Sequence, residues 1–290
     1  MIWSQKKVMT VVTMCLTLLL TEGTAAIACS LWAATGDGLT DGSTLVGHTW
    51  DVSPGTEGEL RLVIPQKGFR YLAVFPTKTK GDRHTTAGIN EHGLTAVKAT
   101  PDTAAPTGQL IGKADLIERI LTSFATVDSV LTSRRLLAQS KPLFLVIADR
   151  SKIALVQIGS GGILASQATS KGLLCHTNHY THQSLLKENK RYARESVARL
   201  NRLQHLLSHS PTPLTADHFL AIASDRANGP DTSIWLTGSG LNKKVTLASW
   251  VVSLPPKAPP ELYFRLLNPR CPEVSYEIKL DKPFWFEGTE

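Results

Sequence analysis

Cysteine is scarce in this chain: four in 290 residues, at positions 15, 29, 175 and 271. Cys15 lies in an N-terminal segment that reads as a removable export signal, which leaves three. An odd remainder excludes full pairing, so at least one thiol is free. A Cys175–Cys271 bridge and a small buried, unpaired Cys175 both fit the spacing. No apolar run after Leu20 approaches spanning length, which excludes a membrane-spanning body once the first 28 residues are gone. No stretch rich in Pro, Gly or Ser and no charge run divides the chain, so residues 29–290 are expected to form one domain. Repeats and low-complexity tracts are absent.

Other absences narrow the chemistry. The basic cluster Lys190, Arg191, Arg194, Arg199 and Arg202 has no interleaved aromatics to stack on bases. It reads as a solvated helix face from which Arg199 can turn inward, and nucleic acid is not an expected partner. Without residues 1–28 the chain keeps 29 basic and 23 acidic residues, a mild excess spread along its length that hints at anionic substrates or surfaces. His176, His179 and His182 have no carboxylate or cysteine placed to complete a tetrahedral set, so neither a metal nor a cofactor is expected. Gly159-Ser160-Gly161-Gly162 links two strands and lacks the strand–turn–helix setting of a phosphate loop.

What is present begins at the N-terminus. Lys6 and Lys7 form a basic start, Val8 to Leu20 an apolar centre, and Ala26-Ile27-Ala28 a cleavage signature, so residues 1–28 are predicted to be a signal peptide. The product would be exported, periplasmic or secreted, and would begin with Cys29. One residue would then carry a thiol and a free α-amine, whose ordinary pKa of about 7.7–8.0 suits it to act as a base. The same four residues also resemble a bacterial lipobox, in which Cys29 is lipidated and its amine capped. That reading gives a lipid-anchored binding protein without a nucleophile.

Beyond Cys29, alternating apolar residues and turn punctuation predict strands over Thr44–Trp50, Glu59–Ile64, Tyr71–Phe75, Thr85–Ile89 and Leu94–Lys98. Asp41-Gly42, Pro54-Gly55, Lys80-Gly81-Asp82 and Asn90-Glu91-His92-Gly93 supply the turns. From Lys113 to Gln139 the period changes to about 3.6, which predicts two helices broken near Ala125-Thr126, the second capped by Thr126 or Asp128. Strands follow at Leu143–Ala148, Ile153–Ile158, Ile163–Ser166 and Leu173–His176. A long helix is predicted over Glu188–His209, with Ala193, Val197, Leu200, Leu203 and Leu207 on one stripe. A second helix starts at the Thr215 cap. Strands at Val245–Leu254, Leu262–Leu267 and Ser275–Leu280 close the chain. This order suits an α+β protein with two antiparallel sheets face to face and helices outside.

Two further residues are placed for chemistry. Asp51 ends an alternating strand, where it can hold an α-amine and tune its protonation or simply cap a turn. Asn178, at a strand end, can donate to a developing oxyanion or satisfy local turn bonds.

The leading cysteine, the block Asp41-Gly42-Ser43-Thr44-Leu45-Val46-Gly47-His48-Thr49-Trp50-Asp51, Ala87-Gly88-Ile89-Asn90-Glu91-His92-Gly93-Leu94, His176-Thr177-Asn178-His179 and Ser196-Val197-Ala198-Arg199 together resemble one family. It is the acyl-coenzyme A:6-aminopenicillanate acyltransferase-like branch of the N-terminal-nucleophile hydrolases, related to choloylglycine hydrolases and penicillin V acylases. The resemblance runs from Cys29 to about Leu280. It implies a four-layer αββα sandwich and cleavage of a non-peptide N-acyl amide through an acyl-cysteine. It also implies Cys29 as nucleophile with its amine as base, Asp51 to orient the amine, Asn178 and a backbone N–H near Thr100 as oxyanion donors, and Arg199 as the active-site arginine. His48 stands where choloylglycine hydrolases carry arginine, and is a candidate substrate contact. Those enzymes carry asparagine or tyrosine near Thr100, and the acyltransferase has an arginine near Leu236. The implied partner is a small N-acyl amide, with the oligomeric state, a homo-oligomer included, left open. Hydrolysis is favoured over transfer because acyl-CoA is scarce outside the cell.

Overall fold

The computed structural model describes residues 28–77, 85–102, 115–189, 193–240 and 243–287. The export segment through Ile27, the Lys80-Gly81-Asp82 turn and the basic residues Lys190 and Arg191 lie outside them.

Thirteen strands among the described residues form two antiparallel sheets, giving an α+β sandwich. In the first, β1 (Ala28–Thr35) lies between β10 (Gly172–His176) and β2 (Thr44–Val52), followed by β11 (Val245–Leu254), β12 (Glu261–Leu266) and β13 (Val274–Lys279). The second runs in sequence order: β3 (Gly58–Val63), β4 (Tyr71–Pro76), β5 (Ala87–Asn90), β6 (Thr95–Ala99), β7 (Leu143–Ala148), β8 (Ile153–Ile158) and β9 (Leu164–Thr169).

Three apolar clusters follow from the alternation of side chains across these strands. Leu31, Val46, Trp50, Trp250 and Phe264 of the first sheet meet Ile89, Val97, Phe144 and Leu155 of the second. The other face of the second sheet packs Tyr71, Leu145 and Val156 against α1 (Leu116–Ser123), α2 (Val127–Thr132) and α3 (Arg134–Ala138) through Ile117, Ile120, Val130 and Leu137. The other face of the first sheet packs Trp32, Leu45 and Val251 against α4 (Arg194–His209) and α5 (Ala216–Ala223) through Leu203, Leu207, Phe219 and Ile222.

The predicted strands at Leu143–Ala148, Ile153–Ile158 and Val245–Leu254 have the observed bounds, and the others shift by one to three residues at an end. The strand at Ala28–Thr35 went unread because no turn residue separates it from the export segment, whereas the equally buried strands at Leu143–Ala148 and Ile153–Ile158 are set off by Pro142 and by Asp149–Ser151. The region after Lys113 holds three helices rather than two, since Ser133 interrupts the second. Thr126 does cap α2, accepting from the Ser129 N–H. The helix predicted from Glu188 begins at Arg194, and Gln183–Glu188 is instead a separate 3-10 turn. A short α6 (Lys282–Phe286), begun by the Asp281 cap, went unread. Cys29, Cys175 and Cys271 are all free thiols, so the bridge left open by the spacing does not form.

The motif glycine of β2 has a packing reason. Gly47 lies across from Trp32, and a Cβ added there would sit 2.0 Å from the indole, which is itself fully buried. Gly47→Ala is therefore expected to cost about 1–3 kcal/mol of stability by overpacking, read as a lower denaturant midpoint with an unchanged slope.

Candidate active site

Cys29 sits where the β1–β10 ladder runs out. The register pairs Leu31 with His176, so continuing it would set Cys29 opposite Asn178. Backbone pairing stops at His176, and the Asn178 side chain takes over: its Oδ1 accepts the Cys29 N–H at 3.0 Å. On the other flank Cys29 pairs with Trp50, and Ala28 with Asp51.

Asn178 is fixed from four directions. Its Oδ1 also accepts from Arg199 Nη2 at 2.8 Å, so two donors define which atom is the oxygen. Nδ2 donates to the Thr100 carbonyl at 2.8 Å. Its backbone N–H donates to Ser196 Oγ at 2.8 Å, and its carbonyl accepts from Asp102 N–H at 2.8 Å. Arg199, 1% exposed, reaches inward from α4 and donates through Nη1 to the Cys29 carbonyl at 2.8 Å and to Ser30 Oγ at 3.4 Å. Both halves of the Cys29 backbone are therefore held by side chains from distant elements.

Asp51 closes the cluster from β2. Thr246 Oγ1 accepts from the Leu236 N–H at 2.7 Å, which leaves its proton to donate to Asp51 Oδ1 at 2.6 Å. The other oxygen, Oδ2, is buried without a hydrogen-bond partner, which for a buried acceptor costs about 1–3 kcal/mol. Cys29 and Trp50 belong to the inter-sheet core, and alternation puts the neighbouring Asp51 on the opposite face of β2. The Cys29 N–H is directed at Asn178 on the β10 side, and Asp51 acts on Cys29 through its charge and its backbone N–H.

Burial sets the protonation states. The Cys29 thiol is pushed up to about 12 by burial and then by the Asp51 carboxylate; the Asp51 backbone N–H, Arg199 and Lys98 pull the other way and lose. Against a thiol's ordinary value this disfavours the thiolate by about 4 kcal/mol, so with Ala28 attached the sulfur holds its proton. Burial also raises the Asp51 carboxyl to about 7, opposed by Arg199, Thr246 and Lys244.

Of the residues singled out in the sequence, Cys29, Asp51, Asn178, Arg199 and Thr100 come together here. His48 shares the inter-sheet face with Cys29 through the β1–β2 register, and among the described residues no hydrogen bond joins it to that group. It is buried between the sheets with Nε2 unpartnered, and burial lowers its pKa to about 3, keeping the ring neutral. Sequence reading missed Thr246 and Lys244, and it quoted Ser196 in the block ending at Arg199 without giving it a role. Lys244 precedes β11, donates through Nζ to Ser53 Oγ at 2.8 Å, and feels Asp102, Cys29 and Asp51 electrostatically. A cavity of about 350 Å³ opens beside His179, Tyr180 and Val197, and Cys29, Asp51 and Arg199 do not line it. Among the described residues no group of three His, Cys, Asp or Glu side chains is placed to hold a metal ion.

The raised Asp51 pKa gives a stability test in the uncut chain. Unfolded, Asp51 titrates near 3.8, and folded near 7, so its contribution is complete below pH 4 and is lost as pH rises through 7. Relative to Asp51→Asn, the parent should lose on the order of 4 kcal/mol between pH 4 and pH 8. Denaturant midpoints of the two proteins across that range measure it, and a difference constant with pH would contradict the assignment.

Comparison with known proteins adds a family. The model described as acyl-coenzyme A:6-aminopenicillanic acid acyl-transferase matches residues 39–270, from just before β2 to the turn after β12. No curated protein matches significantly. The chain belongs to that acyl-transferase family, which is enzymatic.

Proposed function

We propose that this member of the acyl-transferase family is an exported N-terminal-cysteine amidohydrolase, built as a four-layer αββα sandwich. On that reading removal of residues 1–28 leaves Cys29 as the first residue. The observation that carries it is the grip on the Cys29 backbone: Asn178 Oδ1 holds its nitrogen and Arg199 holds its carbonyl, while a buried Asp51 carboxylate with one unpartnered oxygen bears electrostatically on its thiol. A cysteine that served only packing would need none of these.

Cutting the Ala28–Cys29 bond would turn an amide nitrogen, which has no basicity, into an amine. The thiol proton then has an acceptor within its own residue, and the sulfur can attack the substrate carbonyl. Asn178 Oδ1 and Asp51 receive N–H bonds from the amine and orient it, while Arg199 opposes a second positive charge close by and favours its neutral form. Asn178 and the backbone at Thr100, joined through the Nδ2 contact, stabilise the oxyanion. That is a contribution of about 3–4 kcal/mol in comparable sites. The amine passes its proton to the leaving nitrogen as the C–N bond breaks, and an acyl-thioester remains. Water, deprotonated by the same amine, then releases the acid. Burial of Cys29 to 2% exposure argues against a lipidated cysteine, because diacylglycerol has no room between the sheets.

Acyl transfer is the second reading, favoured by the family description. Water and an added amine compete for the same thioester, so product analysis with hydroxylamine present separates the two.

The test uses protein cut before Cys29 and protein retaining Ala28, incubated with a panel of N-acyl amides. Only the cut form should release amine and carry a transient acyl group on Cys29, detected by intact mass. Cys29→Ala should lower turnover by at least about a thousandfold. Turnover by the uncut form or by Cys29→Ala would refute the mechanism.

A further inference from the structure

Asn178 is set by more than its side chain. Its backbone N–H donates at 2.8 Å to the Oγ of Ser196, which is fully buried in the first turn of α4. The residues on either side of Asn178 reach the same oxygen: Thr177 Oγ1 lies 2.9 Å from it and His179 Nδ1 2.8 Å. Thr177-Asn178-His179 is therefore wrapped around one hydroxyl, with the Asn178 side chain turned to Cys29 and Arg199. Arg199 follows Ser196 by three residues on the same helix face. Through these two residues α4 holds Asn178 at its backbone and at its side chain.

The contacts at this hydroxyl fix the proton on the imidazole. Thr177 gives its hydroxyl proton to the Ser196 carbonyl at 2.9 Å. The contact between the two hydroxyls therefore uses the Ser196 proton. No hydroxyl proton is left for the contact with His179, so the proton there belongs to Nδ1. The Asn178 and His179 N–H groups then fill both lone pairs of the Ser196 oxygen. The opposite tautomer, with its proton on Nε2, would draw the Ser196 proton to Nδ1 and break the bond to Thr177. Burial and then Arg199 lower the His179 pKa and favour the neutral ring, for which both tautomers exist.

We propose that His179 is a positioning residue for the oxyanion donor: its Nδ1–H locks the Ser196 hydroxyl, and that hydroxyl holds the Asn178 backbone where its side chain can serve the Cys29 site. The inference rests on the amidohydrolase reading and deepens it. His179 is not itself catalytic. Among the described residues no hydrogen bond joins it to Cys29, and its ring borders the cavity shared with Tyr180 and Val197. It acts through Asn178, where a misplacement of about 1 Å can cost about a hundredfold in rate.

Two measurements on protein cut before Cys29 test this. Nitrogen-15 spectra of ring-labelled, unmutated protein should show the His179 proton on Nδ1, a result that does not depend on any variant folding. The Asn178 side-chain amide resonances should shift in His179→Leu and return in His179→Asn, whose amide offers an N–H in the place of Nδ1. Kinetically, His179→Leu should lower kcat at least about tenfold with KM within about twofold, and His179→Asn should restore kcat to within about threefold. In an Asn178→Ala background His179→Leu should leave the residual turnover almost unchanged, whereas general damage to the fold would lower it further. A proton on Nε2, an Asn178 amide or a kcat indifferent to His179→Leu, losses that add in full, or no recovery in His179→Asn would overturn the proposal. The amidohydrolase reading fails separately: the spectra would behave as described while the cut protein releases amine from no substrate.

Discussion

The structure converges on one peptide unit, the backbone of Cys29. Its nitrogen and carbonyl are held by Asn178 and Arg199, 149 and 170 residues away in sequence. Asn178 is held in turn by Ser196 at its backbone N–H and by Thr100 at its side chain, and the two side chains hold each other. Ordinarily a strand residue satisfies its backbone through a neighbouring strand. Here β10 stops at His176, and a side-chain amide replaces the next rung of the ladder. That substitution needs an asparagine, which offers an acceptor to the Cys29 nitrogen and a donor to Thr100 from one rigid group.

The electrostatics follow from putting so many polar groups in a dry place. Burial, joined for the thiol by the Asp51 charge, puts the thiol at about 12 and the Asp51 carboxyl at about 7. Arg199 pulls both downward without prevailing. The proposed function adds a titratable group at the Cys29 nitrogen. An amine there would accept the thiol proton and, once protonated, would offer the Asp51 carboxylate an opposite charge.

Much of this was legible in the sequence because it depends on local pattern. Short apolar runs between turn residues marked β7, β8 and β11, and the Thr126 and Thr215 caps marked helix starts. What stayed hidden depends on register and on missing punctuation. The strand bearing Cys29 is buried throughout, as β7 and β8 are, but no turn residue sets it off from the export segment before it. Thr246 meets Asp51 only because β11 is aligned with β2, and Lys244 meets Ser53 by the same register. In the sequence Lys244 is one of two adjacent lysines before a strand, and its neighbour Lys243 pairs with Glu195 at the exposed surface. His48, three residues before Asp51, lies on the inter-sheet face of β2 that Cys29 also meets.

The same register bears on the proposed reading of Cys29 as a nucleophile at a chain end. Cys29 projects into the inter-sheet core and Asp51 lies on the other face of the sheet, yet the charge of Asp51 still reaches the thiol. While Ala28 continues the strand, the Cys29 nitrogen is an amide held by Asn178, and one Asp51 oxygen is buried without a partner. The intact chain therefore carries an unsatisfied buried acceptor that a terminal amine would satisfy. Cleavage at this one bond would both complete the base and relieve that cost, so forming the catalytic group and stabilising the fold around it become the same event.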